Sequence, residues 1–136
     1  MNYFLAKTEP STYSIDDLER DQRTAWDGVT NAQAVRAIRA MRPGDRVFIY
    51  HSGGVSSVVG ISEVVSPPRD DPKNAKSAVV DLAFAGRLEP PVSLKEIKES
   101  GKFDDWALVR QGRLSTMAAP EKFVAWMRAR YPAAKI

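Results

Sequence analysis

Six consecutive residues, Trp26-Asp27-Gly28-Val29-Thr30-Asn31, bring together a broad π-face, a carboxylate, a flexible glycine and a helix-capping amide. Planar polar ligands such as nucleobases are held by that mixture: a ring to stack on, fixed partners for the ring edges, and backbone that comes close. The same residues also suit a purely structural role, in which the tryptophan anchors a core at a strand end and Asn31 only caps the following helix.

Composition narrows the chemistry. The 136 residues include no cysteine and a single histidine, His51. That excludes disulfides, thiolate zinc sites, a cysteine nucleophile and any two-histidine metal site. No nucleophile elbow, phosphate loop or cofactor fingerprint occurs, so no catalytic residue, metal or cofactor is expected, and the chain reads as a binder rather than an enzyme. His51, beside Tyr50 at a strand end, reads as a hydrogen-bonded structural residue. Net charge is +3 but unevenly spread: residues 110–136 carry six basic side chains against one acidic, a bias that suits a polyanion. No apolar run is long enough to span a bilayer and no signal peptide is evident. The expectation is one domain over residues 1–136, cytoplasmic or nucleoid-associated, with no membrane partner and a monomer favoured.

The elements that must position the hexapeptide follow from spacing. Tyr3 to Lys7 reads as a strand with Tyr3, Leu5 and Lys7 on one face; it ends at Glu9, which precedes a proline. Ser14-Ile15-Asp16-Asp17 reads as a capped helix start running to about Asp21. Asn31 caps a second helix, Ala32 to Met41, with Val35, Ile38 and Met41 as its apolar stripe; Arg36, Arg39 and Arg42 lie on another side, and Pro43-Gly44-Asp45 stops it. Arg46 to His51 alternates as a strand. Ser57 to Val65 is apolar on both faces, a central strand in which Gly60 marks a bulge or a close approach. Ser66 to Ser77 reads as an exposed loop and Ala78 to Phe84 as a strand. Ser93 and Glu96 match a capping box, opening a short helix that Gly101 ends. Leu108 to Met117 reads as a last strand or hairpin turning at Gln111-Gly112. Pro120 sits at the first position of a terminal helix bearing Phe123, Trp126, Met127 and Tyr131. Strands dispersed among short helices without regular βαβ alternation give a mixed α+β domain around a curved sheet or small barrel.

In order along the chain, Lys7-Thr8-Glu9-Pro10, Trp26 to Asn31, Tyr50-His51-Ser52, Gly60-Ile61-Ser62-Glu63-Val64 and Arg113-Leu114-Ser115 with Met117 resemble the EVE domain family, from Met1 to about Trp126. The resemblance implies an α+β fold, a PUA-like β-pseudobarrel of five to six mostly antiparallel strands surrounded by short helices. It implies a nucleic-acid partner read through a pocket for a single base: modified DNA is favoured (methylated or hydroxymethylated cytosine, or methylated adenine), with RNA as an alternative. It also implies positions. Lys7, Thr8 and Glu9 would stand at the pocket's edge, and Trp26, Asp27, Gly28, Val29 and Asn31 would form its wall. Ser52 would line another side, with Arg113 and Ser115 closing it. Two departures stand out: Thr8 replaces a common serine, and Lys76-Ser77-Ala78 lacks a tryptophan that many relatives place there. In such a site Trp26 would stack on the base, Asp27 and Glu9 would accept from exocyclic amino groups, and Lys7 and Arg113 would contact the sugar-phosphate chain. An RNA-binding module of PUA type and an ASCH-like hydrolase of modified nucleosides are the alternatives.

Overall fold

In the computed structural model, which describes residues 1–136, the chain is organised around β1 (Tyr3–Thr8). Phe4, Leu5 and Ala6 are all buried, because β1 lies between two other strands and is covered on both faces. It runs parallel to β3 (Arg46–His51) and antiparallel to β7 (Thr116–Ala118). Parallel neighbours need a crossover. Here the crossover holds α1 (Ile15–Asp21), β2 (Arg23–Trp26) and α2 (Ala32–Ala40), so the elements that carry the hexapeptide are delivered next to β1.

Every other strand pair is antiparallel. β4 (Ser57–Val64) lies between β3 and β6 (Asn74–Ser93), with β5 (Arg69–Asp71) on the far stretch of β6. The ladder reads β2-β6-β4-β3-β1-β7. It stays open between its edges, β2 and β7, and α2 packs against both β6 and β7 across that seam. The expected mixed α+β pseudobarrel therefore has seven strands, not five or six. The remaining helices are α3 (Leu94–Glu99), α4 (Ala107–Arg110) and α5 (Glu121–Arg130). No helix is long and apolar enough to cross a membrane.

Gly60 shows why the curvature is possible. The register slips around it on both neighbouring ladders. A Cβ there would run into the Ile15 side chain and lie 3.0 Å from the Gly86 carbonyl, so α1 sits directly down on β4. Ser14 and Asp17 form a reciprocal capping box that holds this helix. Asn31 caps α2 as expected through bonds from the Gln33 and Ala34 amides. The expected box at Ser93 is only half made: Ser93 Oγ accepts from the Glu96 amide, whereas the Glu96 carboxylate pairs with Arg130 at 2.8 Å. α5 plants Phe123 among Phe48, Phe103 and Trp106, the aromatic end of a continuous core.

Three further sequence expectations need correction. Leu108 to Met117 is not a strand or hairpin: it is α4, a turn closed by the Leu114 amide on the Gln111 carbonyl, and then β7. Leu108 and Leu114 both reach the core, one from a helical turn and one from a β-turn, which mimics strand alternation. Ser66 to Ser77 is not only a loop, since β5 pairs there with the start of β6; the ribbon is polar because both of its faces meet water. Pro120 is the residue just before α5 rather than its first.

Candidate functional site

A cavity of about 510 Å³ opens where the seam between β2 and β7 is not filled by α2, within the ~300–1,000 Å³ range of small-ligand sites. Four stretches of chain form it. The end of β1 contributes Lys7 and Thr8. Thr8 Oγ1 donates to the Tyr13 carbonyl at 2.8 Å, and the Glu9 carbonyl accepts from the Thr12 and Tyr13 amides; together these fold the following turn back over the opening. β2 pairs with β6, setting Trp26 opposite Val80. After it Gly28 takes φ 76°, with nothing within 4 Å of where a Cβ would stand, so the requirement is one of backbone conformation and not of space. The Val29 carbonyl, which accepts from Ser77 Oγ, pins the 27–31 segment to β6. On the opposite side the Lys7 amide donates to the Ser115 carbonyl at 2.7 Å and the Lys7 ammonium to the Gly112 carbonyl at 3.0 Å. Those two bonds bring Arg113 and Ser115 to the rim.

The unoccupied valences decide what this cavity can do. Trp26 is only 8% exposed and meets Tyr13 edge-on, with centroids 6.3 Å apart. No protein acceptor takes its indole N–H, yet every fully buried side-chain N or O atom has a hydrogen-bond partner. The N–H must therefore reach the accessible surface, and Trp26 lines this cavity. The tryptophan offers a donor and, at 8% exposure, too little open surface for the stacking face that its sequence context suggests. Asp27 and Arg113 are exposed and line the same cavity; neither takes part in any of the ion pairs that tie up other surface charges. Lys7 lies 5.4 Å over the Tyr50 ring, and burial pulls its pKa below the usual lysine value. Burial likewise raises the Tyr13 pKa, so its hydroxyl keeps its proton and donates to Asp21 at 2.9 Å. The cavity thus presents a neutral donor, a carboxylate and two cationic groups around a space lined partly by apolar surface.

Of the eleven positions singled out in the sequence, the structure brings nine to this cavity: Lys7, Thr8, Trp26, Asp27, Gly28, Val29, Asn31, Arg113 and Ser115. Asn31 Oδ1 is already occupied by its two capping bonds, which leaves its amide NH₂ available. Glu9 and Ser52 are not among the lining residues. The Glu9 side chain is exposed, and Ser52 serves the fold through its amide, which donates to the Thr8 carbonyl at 3.0 Å. The sequence reading missed Thr12, Tyr13, Thr24, Ala25 and Thr30. A strand at 23–26 was the signal available for Thr24 and Ala25, but four residues are too few to show a period.

His51 is structural, as expected: its Nε2 accepts from the Ile15 amide at 3.0 Å. The arginine row of α2 and the turn after it is broken up. Arg39 pairs with Asp70 at 3.0 Å and Arg42 donates to the Arg39 and Met41 carbonyls. The basic C-terminal stretch is also partly consumed, by Lys122–Asp105 and Arg130–Glu96 pairs and by the Arg128 bond to the Tyr3 hydroxyl.

A family model described as the EVE domain matches residues 2–129. Among curated proteins the chain is 34% identical to rat (Rattus norvegicus) thymocyte nuclear protein 1 over 125 residues, covering 71% of this chain and 55% of the relative. The chain therefore spans about half the length of the curated relatives it matches. Among solved structures, a protein from Rhodopseudomonas palustris is similar with a TM-score of 0.89 and 33% identity, covering 96% of this chain and 92% of the other. Human THYN1 protein, solved in complex with 5-methylcytosine-containing DNA, shares the fold with a TM-score of 0.85 at 24% identity, covering 96% of this chain and 98% of that one.

Proposed function

The chain belongs to the EVE domain family, and from that premise we propose that it is a nucleic-acid-binding module that takes a single nucleobase, preferentially a modified base of DNA, into the cavity between β1 and β2. The observation that carries this reading is the unpaired Trp26 N–H at the wall of a cavity that also holds an unpaired carboxylate, Asp27, and an unpaired guanidinium, Arg113. A cytosine or adenine edge combines ring or carbonyl acceptors with an exocyclic amino donor. The indole N–H matches the acceptor and the Asp27 carboxylate the donor, while Lys7 and Arg113 sit where a sugar-phosphate chain would leave the opening. The complex of human THYN1 with 5-methylcytosine DNA supports the choice of DNA and of a methylated pyrimidine.

Selection for a methyl group would come from the small apolar surface that Trp26 and Val29 leave open to the cavity rather than from a second aromatic wall. The stretch at Ser77 and Ala78 is buried, and Ser77 spends its hydroxyl on the Val29 carbonyl. This side of the cavity holds a methyl group by contact alone, and the expected discrimination is correspondingly modest, about 1–3 kcal/mol for one methyl-sized group.

The test is a polarisation titration of labelled oligonucleotides of one sequence carrying 5-methylcytosine, 5-hydroxymethylcytosine, N6-methyladenine or no modification, with an RNA of matched length. Tighter binding to one modified DNA, recovered chemically unchanged, is the expected result. Equal affinity across modified and plain DNA would reject the modified-base reading. Preference for the RNA would transfer the site to an RNA module, and turnover of the base would make it an enzyme.

A further inference from the structure

We infer that the β3–β4 hairpin tip, residues 52–56, is a wedge that enters a nucleic-acid duplex beside the cavity, with Val55 filling the place that the extracted base leaves. This inference rests on the base-binding reading above. A base inside a duplex cannot reach a recessed pocket without leaving the stack, and proteins that extract one, or kink a duplex, insert an apolar side chain into the gap. Val55 is 79% exposed, and Met1 at the chain start is the other large apolar side chain left in water.

A lone exposed valine means nothing by itself; its placement does. The tip begins at the cavity, since the Ser52 amide is bonded to the carbonyl of the lining residue Thr8. Its other end is linked back to a lining residue: Ser56 faces the hydroxyl of Tyr50, whose ring lies under the ammonium of Lys7. The tip is also held and not merely long. Leu94 N donates to the Ser56 carbonyl at 2.9 Å and Ser57 Oγ to the Val55 carbonyl at 3.2 Å. Gly53 and Gly54 have φ of 82° and 59°, the left-handed backbone that turns the chain so that the next side chain projects outward.

Charge completes the surface. Lys95 and Lys98 of α3 share a shallow depression with Val55, and neither is in an ion pair. Glu99 is the single carboxylate among the residues of that depression. Two free ammonium groups beside an apolar tip fit a phosphate chain flanking a gap in stacked bases. Single-stranded nucleic acid needs no wedge, because its bases are already free to enter.

The experiment compares the parent protein with Val55→Ser, a substitution in water that leaves the thermal melt unchanged. Both are titrated with duplex and single-stranded DNA carrying the same preferred base, with 2-aminopurine as its immediate neighbour in the same strand reporting extraction through lost stacking. The expected result is a loss of about tenfold or more in duplex affinity, a smaller 2-aminopurine signal, and single-strand affinity unchanged. Equal duplex binding and equal signal for parent and Val55→Ser would overturn the wedge while leaving the pocket reading intact. A matched loss on duplex and single strand would overturn it too, by making Val55 an ordinary contact. Failure of the parent to bind the single strand would bring down the pocket reading and the wedge with it.

Discussion

Replacing Trp26 by phenylalanine separates the two things that a tryptophan can do for a ligand. The exposed fraction, 8%, corresponds to about 20 Å² of a side chain that presents up to ~250 Å². At ~25 cal/mol per Å² that area contributes about 0.5 kcal/mol to binding, well below the ~1–3 kcal/mol of a fully stacked base. The indole N–H is worth more: when its ligand acceptor is buried on uptake and left without a partner, the cost is about 1–3 kcal/mol. Trp26→Phe is therefore expected to weaken binding of the preferred oligonucleotide by about 5-fold to 150-fold. Trp26→Ala would not answer the question. The residue belongs to the core, opposite Val80 and against Tyr13, and truncating such a side chain costs about 3–5 kcal/mol of a total that is commonly about 5–15 kcal/mol. Phenylalanine keeps most of the ring, so a melt shifted by only a few degrees should accompany the binding loss. The assay is a polarisation titration at a temperature where both proteins are folded, paired with that melt. If Trp26→Phe binds within about twofold of the parent, the unpaired N–H is not used and the site's logic is wrong.

Three further outcomes are expected. Neutral His51 accepts the Ile15 amide; burial holds its pKa below the ordinary 6.5, with Arg87 pushing the same way and Asp16 opposing. The unfolded chain then binds the extra proton first, so stability should fall as pH drops from 6.5 to the folded pKa. It should fall again only below the ordinary carboxylate value of 3.8, as Asp17, Asp21, Asp81 and Asp105, all held low, take protons. His51→Gln, which retains an acceptor, should flatten the first decline in thermal melts across that range, and an unchanged slope would refute the assignment. For Arg113→Gln, the slope of log affinity against log salt should shrink by about one; an identical slope would remove Arg113 from the phosphate contacts. Gly60→Ala should destabilise by about 1–3 kcal/mol, because the new methyl meets Ile15 and the Gly86 carbonyl, and a melt equal to the parent's would show that α1 can move away freely.

Much of this protein is legible from its residues alone, and the reason is locality. Ser14, Asn31 and Ser93 announce helix starts because a cap acts on amides two or three residues away. β3 and β4 announce themselves by alternation or by an apolar run, which are properties of a single strand. The ordered motifs from Lys7 to Ser115 were enough to identify the family and to name nine of the residues that line the cavity.

Tertiary structure decided the rest. β2 is four residues long and exists because β6 offers it a partner. Leu108 looked like a strand residue until Trp106, whose indole donates to the Ala118 carbonyl, fixed α4 against β7. Arg39 could have faced a ligand, but Asp70, remote in sequence, claimed it. Most of all, no local pattern reveals which part of Trp26 meets solvent. Most of the residue is covered by the core while its N–H is left without a protein acceptor, and both follow from contacts with residues distant along the chain. Residue types set what chemistry is available; which atoms remain unsatisfied is settled only when the chain closes on itself.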